Sequence, residues 1–140
     1  MAKTPDRFAA MNRDSQSYSD FLTDLNPHPV SGDIVKYVNE NAVVRSIRNL
    51  LMTNRFERLY QPTIGTDIRK MLFEPIGDVT AQMISVFVEK TITNFEPRAK
   101  VIKVEVIGDE EKHRYIVNLV IMVINKQDPI SFNITLDRIR

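Results

Sequence analysis

The sequence predicts an α+β fold in which three helices pack on a small antiparallel β-meander. Two patterns and one residue predict it. As far as Phe95 the apolar residues recur at helical spacing, whereas beyond Arg98 they alternate or run continuously, as strands do. Pro97 enforces the change, because its ring disfavours the α conformation for Glu96 and it has no backbone N–H, so a helix should end at or near Phe95. Helices gathered ahead of strands, rather than interleaved with them, read as α+β. At 140 residues the chain has room for one good core and not two.

Composition excludes several classes of function. The apolar share of 43% and charged share of 26% are ordinary for a globular protein. A formal charge of +1 gives no global electrostatic case for nucleic acid or an anionic membrane. Cysteine is absent, which removes disulfides, thiolate nucleophiles and cysteine-held metal. Met1 to Arg7 lead into no apolar run, so no signal peptide is expected, and no stretch has the length of a membrane span.

Residues 1–32 are polar and punctuated by prolines, and they are expected to form a partly extended N-terminal arm ahead of a single domain over 33–140. Within the arm, Phe21, Leu22 and Leu25 are spaced for one apolar turn. Ile34 to Val38 is a short strand candidate. Asn39 or Asn41 can cap the next helix, whose stripe of Val43, Val44, Ile47, Leu50 and Leu51 leaves Arg45, Ser46, Arg48 and Asn49 off the apolar face. That helix fades near Asn54, and Arg55 to Pro62 read as an ordered connection. Thr66 is expected to cap a short second helix carrying Ile68, Met71 and Leu72, which stops at Phe73-Glu74-Pro75. Asp78 is expected to cap the third, from Val79 to Phe95. Its apolar residues cover more than one stripe, so it should be covered on more than one side.

Three strands follow. Val101 to Ile107 should alternate, with Ile102, Val104 and Val106 on one face and Lys103 and Glu105 on the other. Gly108 to Lys112 turn the chain. Tyr115 to Ile124 is apolar on both parities except at Asn118, which suggests the central strand. Ile130 to Leu136 alternates strictly with Ser131, Asn133, Thr135 and Asp137, a strand near an edge. Unless Ile34–Val38 covers that edge, its backbone is a template for an extended segment of another chain.

A search for chemistry returns little. His28 and His113 stand at no ligand spacing, four glycines build no phosphate-cradling loop, and no nucleophile elbow occurs. No metal and no cofactor is expected. Glu74 and Glu96 as an acid pair would lie at element ends before prolines, where structural caps fall. Arg45, Arg48, Arg55 and Arg58 suit acidic protein or phosphate, or simply a solvated face. Glu96 and Arg98 project together around Pro97, either as an internal clasp or as a docking point. On the residues alone the chain is a binding or assembly unit.

Several segments resemble the baseplate wedge family of contractile-tailed phages, which has relatives in type VI secretion. They are Tyr18-Ser19-Asp20-Phe21, the run from Asn41 to Leu51, Leu72-Phe73-Glu74-Pro75 and Phe95-Glu96-Pro97-Arg98, spread over roughly residues 18–124. The resemblance implies a fold like the end domain of a sheath subunit, completed by arms from neighbouring subunits. It implies a structural protein of the virion tail baseplate, assembled in the host cytoplasm and initiating the sheath. Six copies per baseplate would touch other wedge proteins, the tail tube and sheath subunits, with no nucleic acid or membrane partner. Glu96, Pro97 and Arg98 match the family signature and take from it a docking role towards the helical bundle of larger wedge proteins. Ser131, Asn133 and Thr135 mark the edge expected to accept a sheath arm. Asn54-Arg55-Phe56 departs from the glycine-containing turn expected after the first helix. Some members carry a lysozyme label, so a peptidoglycan hydrolase is the alternative.

Overall fold

The computed structural model describes residues 18–21, 27, 29–30, 32–124, 126 and 128–138. The chain divides into two compact units, Met1–Ala42 and Val43–Arg140. In the first, β1 (Ser19–Phe21) pairs antiparallel with β2 (Lys36–Val38), Asp20 facing Tyr37. A bridge between Pro27 and Ile34 extends the pairing towards the connecting turn, where Gly32 takes a left-handed φ of 68°. Phe21, expected in a helical turn, is therefore a strand residue. Leu22 and Leu25 of that expectation lie outside the described residues.

Helix α1 (Asn39–Met52) begins directly after β2. Asn39 sits at its start with φ 52°, a left-handed conformation that asparagine tolerates better than most residues, and donates its N–H to the Tyr18 carbonyl at 2.7 Å. Asn41 lies inside the first turn and is not the cap. In the second unit, Val43, Ile47, Leu50 and Leu51 are buried as their spacing predicts.

Helix α2 (Ile68–Met71) is a single turn preceded by Asp67, not Thr66. The Thr66 hydroxyl instead donates to the Leu51 carbonyl at 3.2 Å, which ties the start of α2 to the end of α1. Helix α3 (Asp78–Phe95) starts one residue earlier than expected, so Asp78 is its first residue and Gly77 precedes it. A carboxylate there still favours the positive end of the helix dipole. Ile84, Val88, Thr91 and Ile92 form its buried face, while Val79, Met83 and Val86 stand exposed. The second apolar stripe of α3 is thus uncovered by the described residues.

The sheet is an antiparallel meander in the order β3 (Ala99–Asp109), β4 (Arg114–Val123), β5 (Pro129–Asp137). Register makes the inner face explicit: Val117 faces Val106 on one side and Ile134 on the other, and Leu119 faces Val104 and Phe132. Tyr115, Val117, Leu119, Ile121 and Val123 are all buried. β4 is central, as its double parity predicts. Its other set, including Ile116, Val120 and Met122, is only half-buried, so the second face of the sheet is not covered as the first is.

Two expectations for β3 fail, the first because of a bulge. The pairing passes from Val101 opposite Ile121 to Lys103 opposite Val120, a bulge that leaves Ile102 without a partner. The inward set is therefore Ala99 and Val101 before the bulge and Val104 and Val106 after it. Ile102 is 54% exposed, not a member of the Val104/Val106 face. The strand also runs on through Gly108 and Asp109. A Cβ at Gly108 would meet the Ile76 side chain at 2.8 Å, so this position in the sheet has room only for glycine. The turn is moved to Glu110–His113, where Asp109 accepts the Lys112 N–H and pairs with Arg114 at 3.0 Å.

The Asn54–Thr66 connection is ordered by its backbone. Thr66 N–H donates to Thr53 O, Arg55 N–H to Thr66 O and Phe56 N–H to Pro62 O, at 2.9–3.2 Å. The Glu57 carboxylate accepts the Asn54 N–H at 2.6 Å. Phe56 has φ 69°, so the turn after α1 adopts the glycine-like conformation without the glycine. A left-handed non-glycine residue costs about 1–2 kcal/mol. Phe56→Gly is accordingly expected to be more stable than Phe56→Ala by about 1 kcal/mol, against the usual ranking of these residues. Paired urea denaturation curves measure it, and equal midpoints would show that the turn relaxes without strain.

Candidate assembly interface

Three features of the second unit are built to hold or present groups: the joint at Glu96–Arg98, the outer edge of β5, and the loop after α1. The joint lies where α3 stops. Glu96 N–H closes the helix on the Ile92 carbonyl at 2.8 Å, and Pro97 then directs the chain into β3. Glu96 is only 3% exposed. Its Oε1 accepts from Arg98 Nε at 2.6 Å and its Oε2 from Arg98 Nη2 at 2.7 Å, a bidentate pair. Ser46 Oγ on α1 donates to the same Oε2 at 2.6 Å. Burial by itself would raise the Glu96 pKa and is the largest single influence; hydrogen bonds from Arg98 and Ser46, with the charge of Arg98, together outweigh it and hold the carboxyl below its ordinary range. Pro97 is exposed, and the Arg98 side chain is one-third exposed. Periodicity placed Ser46 merely off the apolar stripe of α1; nothing local to its sequence connects it to a carboxylate fifty positions away.

The β5 edge is the second feature. Ser131, Asn133 and Thr135 are all exposed. Arg48 Nη2 on α1 donates to the Asn133 carbonyl at 3.3 Å. That bond places the Asn133 carbonyl on the side away from β4, and strand alternation places the backbone groups of Ser131 and Thr135 with it. Pro129, which has no N–H to give a ladder, falls in the same alternation at the strand's start. Among the described residues β5 has β4 as its one strand neighbour, and β2 pairs with β1 in a two-stranded sheet. A cleft of about 210 Å³ lies beside the end of this edge, lined by Leu51, Met52, Ile68, Leu72 and the last residues of β5.

The third feature is the loop. Arg55 and Lys70 hold Asp67 at 3.4 and 3.0 Å, and Lys70 above all keeps that carboxyl below its ordinary range. Phe56, Leu59 and Tyr60 project from the loop into solvent. Among the described residues no cluster of histidine and carboxylate groups can hold a metal ion, and no helix is long and apolar enough to cross a membrane.

The family model for baseplate wedge protein gp25 matches residues 38–128, from the end of β2 to just before β5. The chain belongs to the gp25 baseplate wedge family. Baseplate wedge protein gp25 of Enterobacteria phage T4 is 30% identical over 113 residues, which cover 78% of this chain and 85% of the phage protein. Among solved structures, a protein described as a tail lysozyme from Geobacter sulfurreducens aligns with a TM-score of 0.64 at 23% identity, over 70% of this chain and 89% of that one. A chain of the anti-feeding prophage baseplate aligns at 0.60 and 20% identity, over 88% and 87%. At these identities the two structures establish a shared fold and nothing finer. The match to the gp25 family takes in α1, α3, β3, β4 and the whole Glu96–Arg98 joint, and leaves β5 outside it.

Proposed function

We propose that this chain is a structural baseplate wedge subunit of a contractile phage tail, which helps assemble the baseplate and starts the tail sheath. The gp25 family match over residues 38–128 carries the reading. On it, residues 1–32 act as an arm and the α+β domain, akin to the end domain of a sheath subunit, occupies the base of the sheath in six copies. Its partners are other wedge proteins, tail tube and sheath subunits, in a virion tail put together in the host cytoplasm. The Glu96–Pro97–Arg98 joint docks on the helical bundle of the larger wedge proteins. Both carboxylate oxygens of Glu96 are engaged within the chain, so the surface offered to that bundle is Pro97 and the outer part of Arg98. The β5 edge receives an extended arm of a sheath subunit.

The other reading, a peptidoglycan hydrolase, draws support from the fold shared with the tail lysozyme. A glycosidase acid needs a raised pKa and an open cleft. Glu96 has the opposite character, lowered and enclosed by Arg98 and Ser46. Cryo-EM of an intact tail is expected to show six copies at the sheath base, and their absence there would end the wedge reading. The purified protein is expected to leave peptidoglycan uncut. Robust cleavage, lost in Glu96→Gln with its melting transition retained, would establish the hydrolase instead.

A further inference from the structure

We infer that the tip of the loop after α1, residues Phe56 to Tyr60, is a preformed plug that seats in an apolar, carboxylate-rimmed pocket of another protein of the wedge; the inference rests on the baseplate reading above. The tip is exposed to a degree that a free monomer gains nothing from: Phe56 is 77%, Leu59 92% and Tyr60 97% exposed. Isolated exposed apolar residues need no explanation, but three within five positions, with Arg58 among them, put two aromatic rings and an arginine, the types enriched at protein interfaces, on one short exposed loop.

The loop is also held in shape. Its base is locked by the Thr53–Thr66 and Arg55–Thr66 backbone bonds. Gly65 packs so closely under it that a Cβ would sit 2.7 Å from the Asn54 carbonyl carbon and oxygen. Phe56 is kept in a left-handed conformation. Strain of this kind persists only where the surroundings over-determine it and is concentrated at functional sites. An ordered tip loses little conformational freedom on docking, which favours affinity.

Charge selects the partner. In the loop and at its base Arg55, Arg58 and Lys70 outnumber Glu57 and Asp67; Glu57 is turned to the Asn54 N–H, and Asp67 is held by Arg55 and Lys70. Arg58 has no ion-pair partner among the described residues. An exposed tip with apolar side chains and a guanidinium outside any ion pair fits a recessed apolar surface with carboxylates at its rim.

The test is to co-express the full chain with the other wedge proteins, with a photo-crosslinking benzoylphenylalanine placed at position 60 or, as a control, at position 112 in the β3–β4 turn. Irradiation is expected to join position 60, and not 112, to another wedge protein, at a peptide where apolar residues are flanked by Asp or Glu. Tyr60→Ala and Arg58→Glu are expected to keep the wild-type melting curve and to weaken wedge association about thirtyfold. Crosslinking to a second copy of this chain overturns the inference, as does binding of the chain to phosphatidylglycerol–phosphatidylcholine vesicles through the same residues. Normal wedge formation by both variants overturns it while leaving the baseplate reading intact. Failure of the wild-type chain itself to enter wedges removes both.

Discussion

Arg98→Ala lowers the stability of the isolated protein by about 3 kcal/mol at pH 7, the range for breaking a buried pair reduced somewhat because Arg98 is part-exposed. The reason is which partner is left behind. With the Arg98 side chain removed, Glu96 loses its only cationic partner and keeps the Ser46 hydroxyl and the backbone N–H of residue 98, both neutral donors, in a site that is 3% exposed. Glu96→Gln costs less, since a neutral amide is left in the site and the guanidinium can turn to water. The pH dependence separates this account from simple loss of packing. In the wild type the folded pKa of Glu96 lies below its ordinary value of 4.5, so its contribution is present above that value and is lost as pH falls through the folded pKa. In Arg98→Ala burial pushes the folded pKa up instead, and protonation in mild acid relieves the penalty. The two stability curves should therefore converge below about pH 5, and Glu96→Gln added to Arg98→Ala should recover part of the loss at pH 7. Urea denaturation at pH 7 and pH 4.5 measures both. A melting curve unchanged by Arg98→Ala would mean that this arginine serves only the docking surface.

On the proposed sheath-starting role, proline at Ser131 or Thr135 is expected to leave the domain folded and to stop sheath growth on the baseplate. These residues share the alternation of Pro129 and of Asn133, whose carbonyl meets Arg48 outside the ladder. Their N–H groups therefore point away from β4, and losing one costs the monomer nothing in its own sheet. An arriving arm would find a donor missing. Phe132→Pro and Ile134→Pro, in the opposite alternation, should instead remove ladder bonds to β4 and unfold the chain. The β5 edge is the better candidate of the two in the meander, because the bulge at Ile102 twists the outer edge of β3 away from regular pairing. Arg48 must release the Asn133 carbonyl for the arm to pair along the full strand. At 3.3 Å and exposed, that bond is worth no more than about 1 kcal/mol. Purified baseplates carrying each variant, mixed with sheath subunits and viewed by negative-stain microscopy, give the answer. Full-length sheaths on every outward-proline variant would move the arm to the opposite edge.

Much of this molecule follows from local periodicity. The stripe of Val43, Ile47, Leu50 and Leu51 and the one-sided burial of Ile134 and Leu136 depend on a repeat of 3.6 or 2 residues, the central place of Tyr115–Val123 on apolar residues at both parities, and the helix stop on the ring and missing N–H of Pro97. Backbone geometry imposes those repeats whatever surrounds them. The pairing of Glu96 with Arg98 around Pro97 was equally legible as one of two readings, as was the exposed edge at Ser131, Asn133 and Thr135. Other features needed the folded chain. The bulge is invisible because Val101 and Ile102 are both apolar, and alternation cannot say which of two such neighbours is the extra residue. Asn54-Arg55-Phe56 carries no glycine to announce a left-handed turn; the hydrogen bonds from Arg55 and Phe56 to the Thr66 and Pro62 carbonyls, and from Thr66 N–H to the Thr53 carbonyl, impose it. Thr66 and Asp78 looked like caps because their side chains suit that role, yet Thr66 was drawn to the Leu51 carbonyl and α3 began one residue sooner. Ser46 joins Glu96, and Arg48 joins Asn133, only because packing α1 on the sheet brings these groups within hydrogen-bonding reach. The sequence determines which faces are apolar; which polar groups meet across those faces is decided by the packing, since that depends on the placement of elements far apart in the chain.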